Sequence, residues 1–248
     1  MKGLLDRDTP PRIDCAELID DPAQPLSDLR ASMKDVQFVN RFLGGTPVVT
    51  RQVAEWLRSA RLDPVLIGRP ITFLDVATGS GDLPKAILGI AQREGVDMRM
   101  IGLDFSAPIL QIARDVIGAH HQIRLIRGDA FCLPFGDNSI DFVLCSLAFH
   151  HLGLAGSITA LREMERVSRR GWLVNDLRRA WSAWYLFRGV SAITRMNRLT
   201  RHDGPASVLR AYSLAEYMSI PEAIGLQAGR DFTVRRSLFY RVAILRNK

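Results

Sequence analysis

The sequence predicts an α/β chain built on a doubly wound, mostly parallel sheet that closes with an antiparallel hairpin and carries helical caps. Three observations predict it. Short apolar runs alternate with helical stretches from Ile71 to Asp176. One of those runs, Leu74-Asp75-Val76, passes straight into the glycine turn Ala77-Thr78-Gly79-Ser80-Gly81. The last two β-rich runs stand too close together for a crossover helix.

The elements follow in order. Residues 1–26, rich in Asp and Pro and without periodicity, read as an irregular arm. Ser27 is placed to cap a helix through Leu29, Met33, Val36, Phe38, Val39 and Phe42, which Gly44-Gly45 ends. A second helix over 48–60 sets Val49, Val53, Trp56 and Leu57 on one face. Residues 71–76 are the first buried parallel strand. A helix over 84–94, a strand over 98–103 ending in Asp104 and a helix over 107–116 come next. Strands over 123–127 and 142–146, a helix over 155–168 and a strand over 171–176 continue the alternation. A helix over 214–224 precedes the hairpin, whose runs 231–236 and 239–246 are joined by Ser237-Leu238. Residues 1–62 are thus expected to be arm and helical cap, and 63–248 one domain with a helical insertion at 177–212.

Composition narrows the function classes. With 47% hydrophobic and 24% charged residues in a chain of 248, the protein can bury a full core and is not disordered or fibrous. The 33 Lys and Arg against 26 Asp and Glu give a net +7, but the excess is arginine scattered late in the chain, with no lysine-rich tail, which argues against nucleic acid. Three cysteines, Cys15, Cys132 and Cys145, make an odd number without ligand spacing, so reduced thiols in the cytoplasm and no metal site are expected. The start Met1-Lys2-Gly3-Leu4-Leu5 lacks an apolar signal core, and no run reaches the roughly 20 apolar residues of a membrane span.

The glycine turn carries the chemistry. Glycines there let a ligand lie against the backbone while the amides of the next helix point at it. A nicotinamide or flavin dinucleotide is the natural competitor, but its third glycine is missing: Asp82-Leu83-Pro84 follows Gly81. Asp75, just before the glycines, would repel a pyrophosphate and would attract an amino group. Asp104, 23 residues after Gly81, is placed for ribose hydroxyls, and Asp129 in Gly128-Asp129-Ala130 for an adenine amine.

With Ser139-Ile140-Asp141-Phe142-Val143 leading into Ser146-Leu147-Ala148-Phe149-His150-His151-Leu152, these motifs resemble those of class I S-adenosylmethionine-dependent methyltransferases over about residues 70–180. The resemblance implies a Rossmann-like sheet of seven strands and S-adenosyl-L-methionine as cofactor, with S-adenosyl-L-homocysteine as product. It implies that Asp75 and the backbone of Ala77, Thr78, Gly79, Ser80 and Gly81 hold the methionine part, that Asp104 holds the ribose, that Asp129 and Ala130 hold the adenine, and that Phe105 packs on the adenosine. Ser146 and Leu147 would lie beneath the transferred methyl.

A sulfonium methyl needs mainly alignment, with a base only where the acceptor must lose a proton. His150, His151 and Asp176 stand at the carboxyl edge of the strands and are the candidates. Residues 177–201, with Trp181, Trp184, Tyr185, Leu186 and Phe187 among arginines, read as an apolar helix that roofs an acceptor pocket or rests weakly on an anionic membrane surface. His202-Asp203-Gly204, Ser207, Arg210 and Tyr212 are expected at the mouth. Together with Asn40-Arg41 these features are loosely similar to the quinone and polyketide-ring methyltransferases, which implies a small lipophilic acceptor. A tRNA or rRNA methyltransferase and a cofactor-binding regulator without catalysis are the alternatives, and the oligomeric state is left open.

Overall fold

The computed structural model describes residues 8–248. The first seven residues of the expected arm, and with them the reading of the N-terminal segment, lie outside the described residues. A 3-10 turn at Leu18–Asp20 precedes helices α1 (Leu26–Phe42) and α2 (Gly45–Arg61). The core then alternates β1 (Ile71–Val76), α3 (Asp82–Glu94), β2 (Met98–Asp104), α4 (Ala107–Ile117), β3 (Ile123–Arg127), β4 (Ile140–Ser146), α5 (Phe149–Val167) and β5 (Ser168–Leu177). Helices α6 (Trp181–Ile193), α7 (Arg198–Arg210) and α8 (Leu214–Glu222) separate it from β6 (Thr233–Ser237) and β7 (Arg241–Asn247). The seven strands run β3-β2-β1-β4-β5-β7-β6, with β7 antiparallel to both neighbours and the rest parallel.

The strand order reverses between β1 and β4, where an open α/β sheet leaves a crevice at the carboxyl ends of its strands. On one face β1 and β4 bury Phe73, Phe142 and Leu144 against Val53, Trp56 and Leu57 of α2 and Ile87 of α3. Trp56 lies stacked on Phe142 at 4.4 Å between ring centroids. On the other face Val143, Cys145 and Val174 pack on Leu161 and Met164 of α5 and Tyr217 of α8. Helix α1 joins neither face; Leu29 and Met33 pack on Ile109 and Ile112 of α4 and Leu199 of α7, so it bridges the sheet to the insertion.

Several boundaries differ from the sequence reading for local reasons. Helix α1 starts one residue before Ser27, because the Pro25 carbonyl accepts the amides of Asp28 and Leu29 and no side chain caps it. Gly44, at φ 82°, makes the reversal between α1 and α2, and α2 begins at Gly45 rather than Val48. Helix α5 begins at Phe149, six residues early, with its first turn set off by Gly153 at φ 65° and ψ 165°. That first turn carries both histidines. The expected single helix over 177–201 is two, α6 and α7, folded against each other so tightly that a Cβ on Gly204 would fall 1.9 Å from the Phe187 ring. The hairpin turn is longer than two residues, with Phe239 and Tyr240 at φ 53° and 59°.

At the amino edge, Asp141 of β4 is buried and accepts both Nη atoms of Arg69 (2.7 and 2.8 Å), Nη1 of Arg169 (2.9 Å), and the amide and hydroxyl of Thr72 (both 2.9 Å). Burial pushes its pKa up, but these partners outweigh it and hold the carboxyl at about 2. A depressed carboxylate stabilises the fold above the ordinary carboxylate range and loses that contribution as pH falls from about 4 toward 2. Asp141→Ala strands two partly exposed guanidiniums and a strand amide. It is expected to cost about 2–4 kcal/mol in urea unfolding at pH 7, and clearly less at pH 3.

Candidate active site

Strand β1 ends at Val76, and the chain leaves it through Ala77 at φ 56°, Gly79 at 57° and Gly81 at 74°. Gly81 has a packing reason as well, since a Cβ there would sit 2.8 Å from Ile117 Cδ1 of α4. A Cβ on Gly79 would meet nothing within 4 Å, so its open side faces free space. A cavity of about 610 Å³ opens there, lined by Asp75, Ala77, Thr78, Gly79, Ser80 and Asp82 below and by Met33, Val36, Asn40 and Thr46 of the helical cap above, with Ser146 and Leu147 at its end.

The donors and acceptors in this cavity fit S-adenosylmethionine. Asp75 is 1% exposed; its Oδ2 accepts the Thr78 hydroxyl at 2.7 Å, while Oδ1 is buried with no hydrogen-bond partner. Burial chiefly, and then the charges of Asp82 and Asp104, push its pKa up to about 7 despite Thr78. An ammonium group beside Oδ1 would supply both the missing bond and the missing countercharge.

Gly81, Asp104, Phe105, Asp129 and Ala130 do not line this cavity. Asp104 Oδ2 accepts the Gly79 amide at 2.9 Å and Oδ1 the Ser106 amide at 3.0 Å, so the carboxylate ties the glycine turn to the end of β2. Phe105 is 70% exposed under the Arg127 guanidinium. Asp129 is exposed and accepts the Phe131 amide at 2.9 Å.

At the end of β4 the backbone turns through Leu147 at φ 57°, a conformation that a branched residue adopts at a cost. The Leu147 amide donates to Asn175 O, and Asn175 Nδ2 donates to Ser146 Oγ, so β5 holds the turn in place. Leu147, Met33, Val36 and Asn40 each line two cavities: the one just described and a larger one of about 960 Å³. The larger cavity is walled by apolar side chains, among them Val39, Leu177, Ala183, Leu186, Phe187 and Val208. Two bodies in the two cavities would meet at Leu147.

Polar side chains interrupt the wall of the larger cavity, Asn40, Thr200 and Arg241 among them, and Glu17, His150 and His151 cluster at one end. His150 and Asp176 are buried there; His150 Nδ1 donates to Asp176 Oδ1 at 2.6 Å, and the His150 amide donates to Oδ2 at 3.1 Å. Asp176 therefore fixes the imidazole and the start of α5 together. Burial would raise its pKa, but the His150 charge and hydrogen bond, with two backbone amides, hold it below the ordinary range. His151 lies beside it, the rings 4.2 Å apart.

The sequence reading missed Glu17, a buried carboxylate carried in by the arm. The amides of Leu18 and Ile19 donate to the Asp203 carboxylate (2.7 and 2.9 Å), and the Ser207 hydroxyl donates to Glu17 at 2.9 Å. The motif around His202-Asp203-Gly204 thus pins the arm across the cavity as well as lining it. Burial raises the Glu17 pKa to about 7, against the lowering effects of His151, Ser207 and Arg210. No apolar periodicity marks residues 8–25, so only the acid itself was visible.

A mostly parallel seven-stranded sheet in this order, with a glycine turn and an orphaned carboxylate after its first strand, defines the class I S-adenosylmethionine-dependent methyltransferase fold. Residues 73–171 match the family described as methyltransferase domain. A demethylmenaquinone methyltransferase of Bacillus licheniformis is 35% identical over 121 residues, 49% of this chain and 50% of that protein. One of Staphylococcus aureus is 34% identical over 101 residues, 41% of this chain and 40% of that protein. The chain thus spans half or less of the length of these curated relatives. Among solved structures, magnesium protoporphyrin IX methyltransferase of Synechocystis with bound S-adenosylhomocysteine shares the fold at a TM-score of 0.54, with 15% identity over 85% of this chain and 87% of that one. An S-adenosylmethionine-dependent methyltransferase of Aquifex aeolicus does so at 0.51, with 17% identity over 80% and 97%.

Proposed function

We propose that the chain moves the methyl group of S-adenosylmethionine to a small lipophilic acceptor, a quinone-like or phenolic ring. The observation that carries this reading is the pair of cavities that share Leu147, Met33, Val36 and Asn40, one polar with an orphaned carboxylate, the other mostly apolar with a polar cluster at one end. The donor supplies an electrophilic methyl; the chain supplies the alignment of two molecules across Leu147 and the exclusion of water by α1, α6 and α7. Asp75 holds the amino group, and the backbone of the glycine turn lies along the methionine part. The acceptor's flat apolar body lies among Val39, Leu186, Phe187 and Val208, and its proton is lost at the His150 and His151 end, where Asp176 positions His150.

The demethylmenaquinone methyltransferases among the relatives support a ring of this size and polarity. Helix α6 leaves Trp181, Tyr185 and Ile193 exposed beside Arg188, a surface suited to an acceptor arriving from an apolar phase or to weak contact with an anionic membrane. No helix among the described residues is long and apolar enough to cross a membrane.

The test is calorimetry with S-adenosylmethionine, S-adenosylhomocysteine and NADH, followed by mass spectrometry of naphthoquinols and phenols incubated with protein and cofactor. Micromolar binding of the first two with none of NADH, and an acceptor gaining one methyl, is the expected result. Binding without turnover across the panel would instead mark a regulator, and NADH binding alone would overturn the cofactor assignment.

A further inference from the structure

Two neighbouring imidazoles at the polar end of the acceptor cavity are held in the same way. His150 Nδ1 is bonded to Asp176 Oδ1 at 2.6 Å, and His151 Nδ1 to Asp20 Oδ2 at 3.2 Å. Both Nε2 atoms are left over, and both face one carboxyl group. Glu17 Oε1 lies 4.0 Å from His150 Nε2, and Glu17 Oε2 lies 3.7 Å from His151 Nε2. Taken one atom from each residue, the three groups lie within 4.8 Å of one another.

We propose that Glu17, His150 and His151 form a binding site for a divalent transition-metal cation, with its open side toward the acceptor cavity. The cysteine spacing gave no hint of it, because none of the ligands is a thiol. Four features support the site. Carboxylates behind the far ring nitrogens are the usual way in which metal-binding imidazoles are oriented, and here both histidines have one. The Glu17–imidazole spacings of 3.7 and 4.0 Å are too long for hydrogen bonds and slightly long for ligands about 2.1 Å from a common ion, so a small inward movement of the side chains is needed to close the set. Glu17 Oε1 is buried without a hydrogen-bond partner and faces the gap.

The fourth feature is charge. Glu17, Asp20 and Asp176 stand against two guanidiniums: Arg210, whose Nη1 is 3.4 Å from Glu17 Oε1 and 3.5 Å from Asp20, and the buried Arg241, whose charge acts on Asp176. With the imidazoles neutral, as metal ligands must be, the three carboxyl groups outnumber the two guanidiniums, and a cation would offset the excess negative charge. Two imidazoles and a carboxylate suit zinc and its first-row neighbours rather than magnesium or calcium.

This role rests on the methyltransferase reading, whereas the binding itself does not. An acceptor oxygen taking the open position becomes more acidic on the cation. Its O–H bond would break with the proton passing to bulk solvent, and the electron pair left behind would attack the methyl as the donor's S–C bond breaks. Proton removal then belongs to the cation-bound oxygen, and the histidines act as its ligands.

The experiment is titration of the whole chain, stripped with chelator, with zinc and manganese chlorides by calorimetry, with bound metal counted by elemental analysis. One cation per chain is expected, weakened at least tenfold by Glu17→Gln and by Asp20→Asn, a half-exposed substitution behind His151 that spares the core. No binding by the wild type, or wild-type affinity in Glu17→Gln, would overturn the site. Binding that survives Glu17→Gln and disappears in His121→Ala is surface capture and overturns it equally. S-adenosylmethionine affinity measured on the same stripped samples reports folding and tests the methyltransferase reading separately.

Discussion

Asp75→Asn is expected to reduce S-adenosylmethionine affinity by roughly 30- to 5000-fold while making the ligand-free protein more stable above pH 7. The affinity loss follows from removing one partner of a buried charge pair, which costs about 2–5 kcal/mol. The gain in stability follows from the pKa of about 7, which burial, Asp82 and Asp104 impose on a group that titrates near 3.8 when exposed. Between those values the folded chain keeps a proton that the unfolded chain has lost. Wild-type stability therefore falls as pH rises from about 4 to 7, by something on the order of 4 kcal/mol in total. Asparagine has no proton to lose, so the variant should lack that slope.

The same carboxyl makes cofactor binding pH-dependent. Below pH 7 the ligand's ammonium must displace the Asp75 proton, so affinity should drop by up to about tenfold per unit and binding should release protons. Calorimetry in buffers of different ionisation enthalpy measures that release, and urea unfolding at pH 5 and 8 measures the slope. Unchanged affinity in Asp75→Asn would remove the amino-group assignment.

His150→Ala is expected to lower kcat by about 100- to 10,000-fold with cofactor affinity unchanged, because His150 lines only the acceptor cavity. The substitution leaves Asp176 buried with only backbone donors, at a stability cost of about 1–3 kcal/mol, so melting temperature and cofactor affinity must be followed alongside the rate. Asp176→Asn keeps the packing and should reproduce part of the rate loss by releasing the His150 ring. Wild-type turnover in His150→Ala, measured on whichever acceptor gains a methyl, would exclude the polar end of the cavity from the reaction.

The parallel core was legible because each of its parts is local. A six-residue apolar run, a glycine turn and an acid at the next strand end need no tertiary contact to be read at Ile71–Asp104, and the orphaned Asp75 oxygen is the physical counterpart of an acid set where a pyrophosphate would be repelled. The pairing of His150 with Asp176 was partly legible, since both stand at strand ends on one sheet edge, although the sequence placed them only side by side. Helix α5 was read as starting late because Gly153 breaks the pattern after its first turn, and that turn is stabilised by Asp176 from another strand.

By itself the sequence determined the sheet, the glycine turn after β1 and the acid that precedes it, because hydrophobic period and glycine conformation act over a few residues. Only the tertiary structure decided that the cap helix α1 is a wall shared by both cavities, that α6 and α7 fold back on each other, and that an arm without periodicity delivers Glu17 between two histidines more than 130 positions away. Those contacts hold through the Asp203 and Ser207 hydrogen bonds to the arm and through burial of α1 on α4 and α7, interactions between distant segments that leave no spacing in the chain to read.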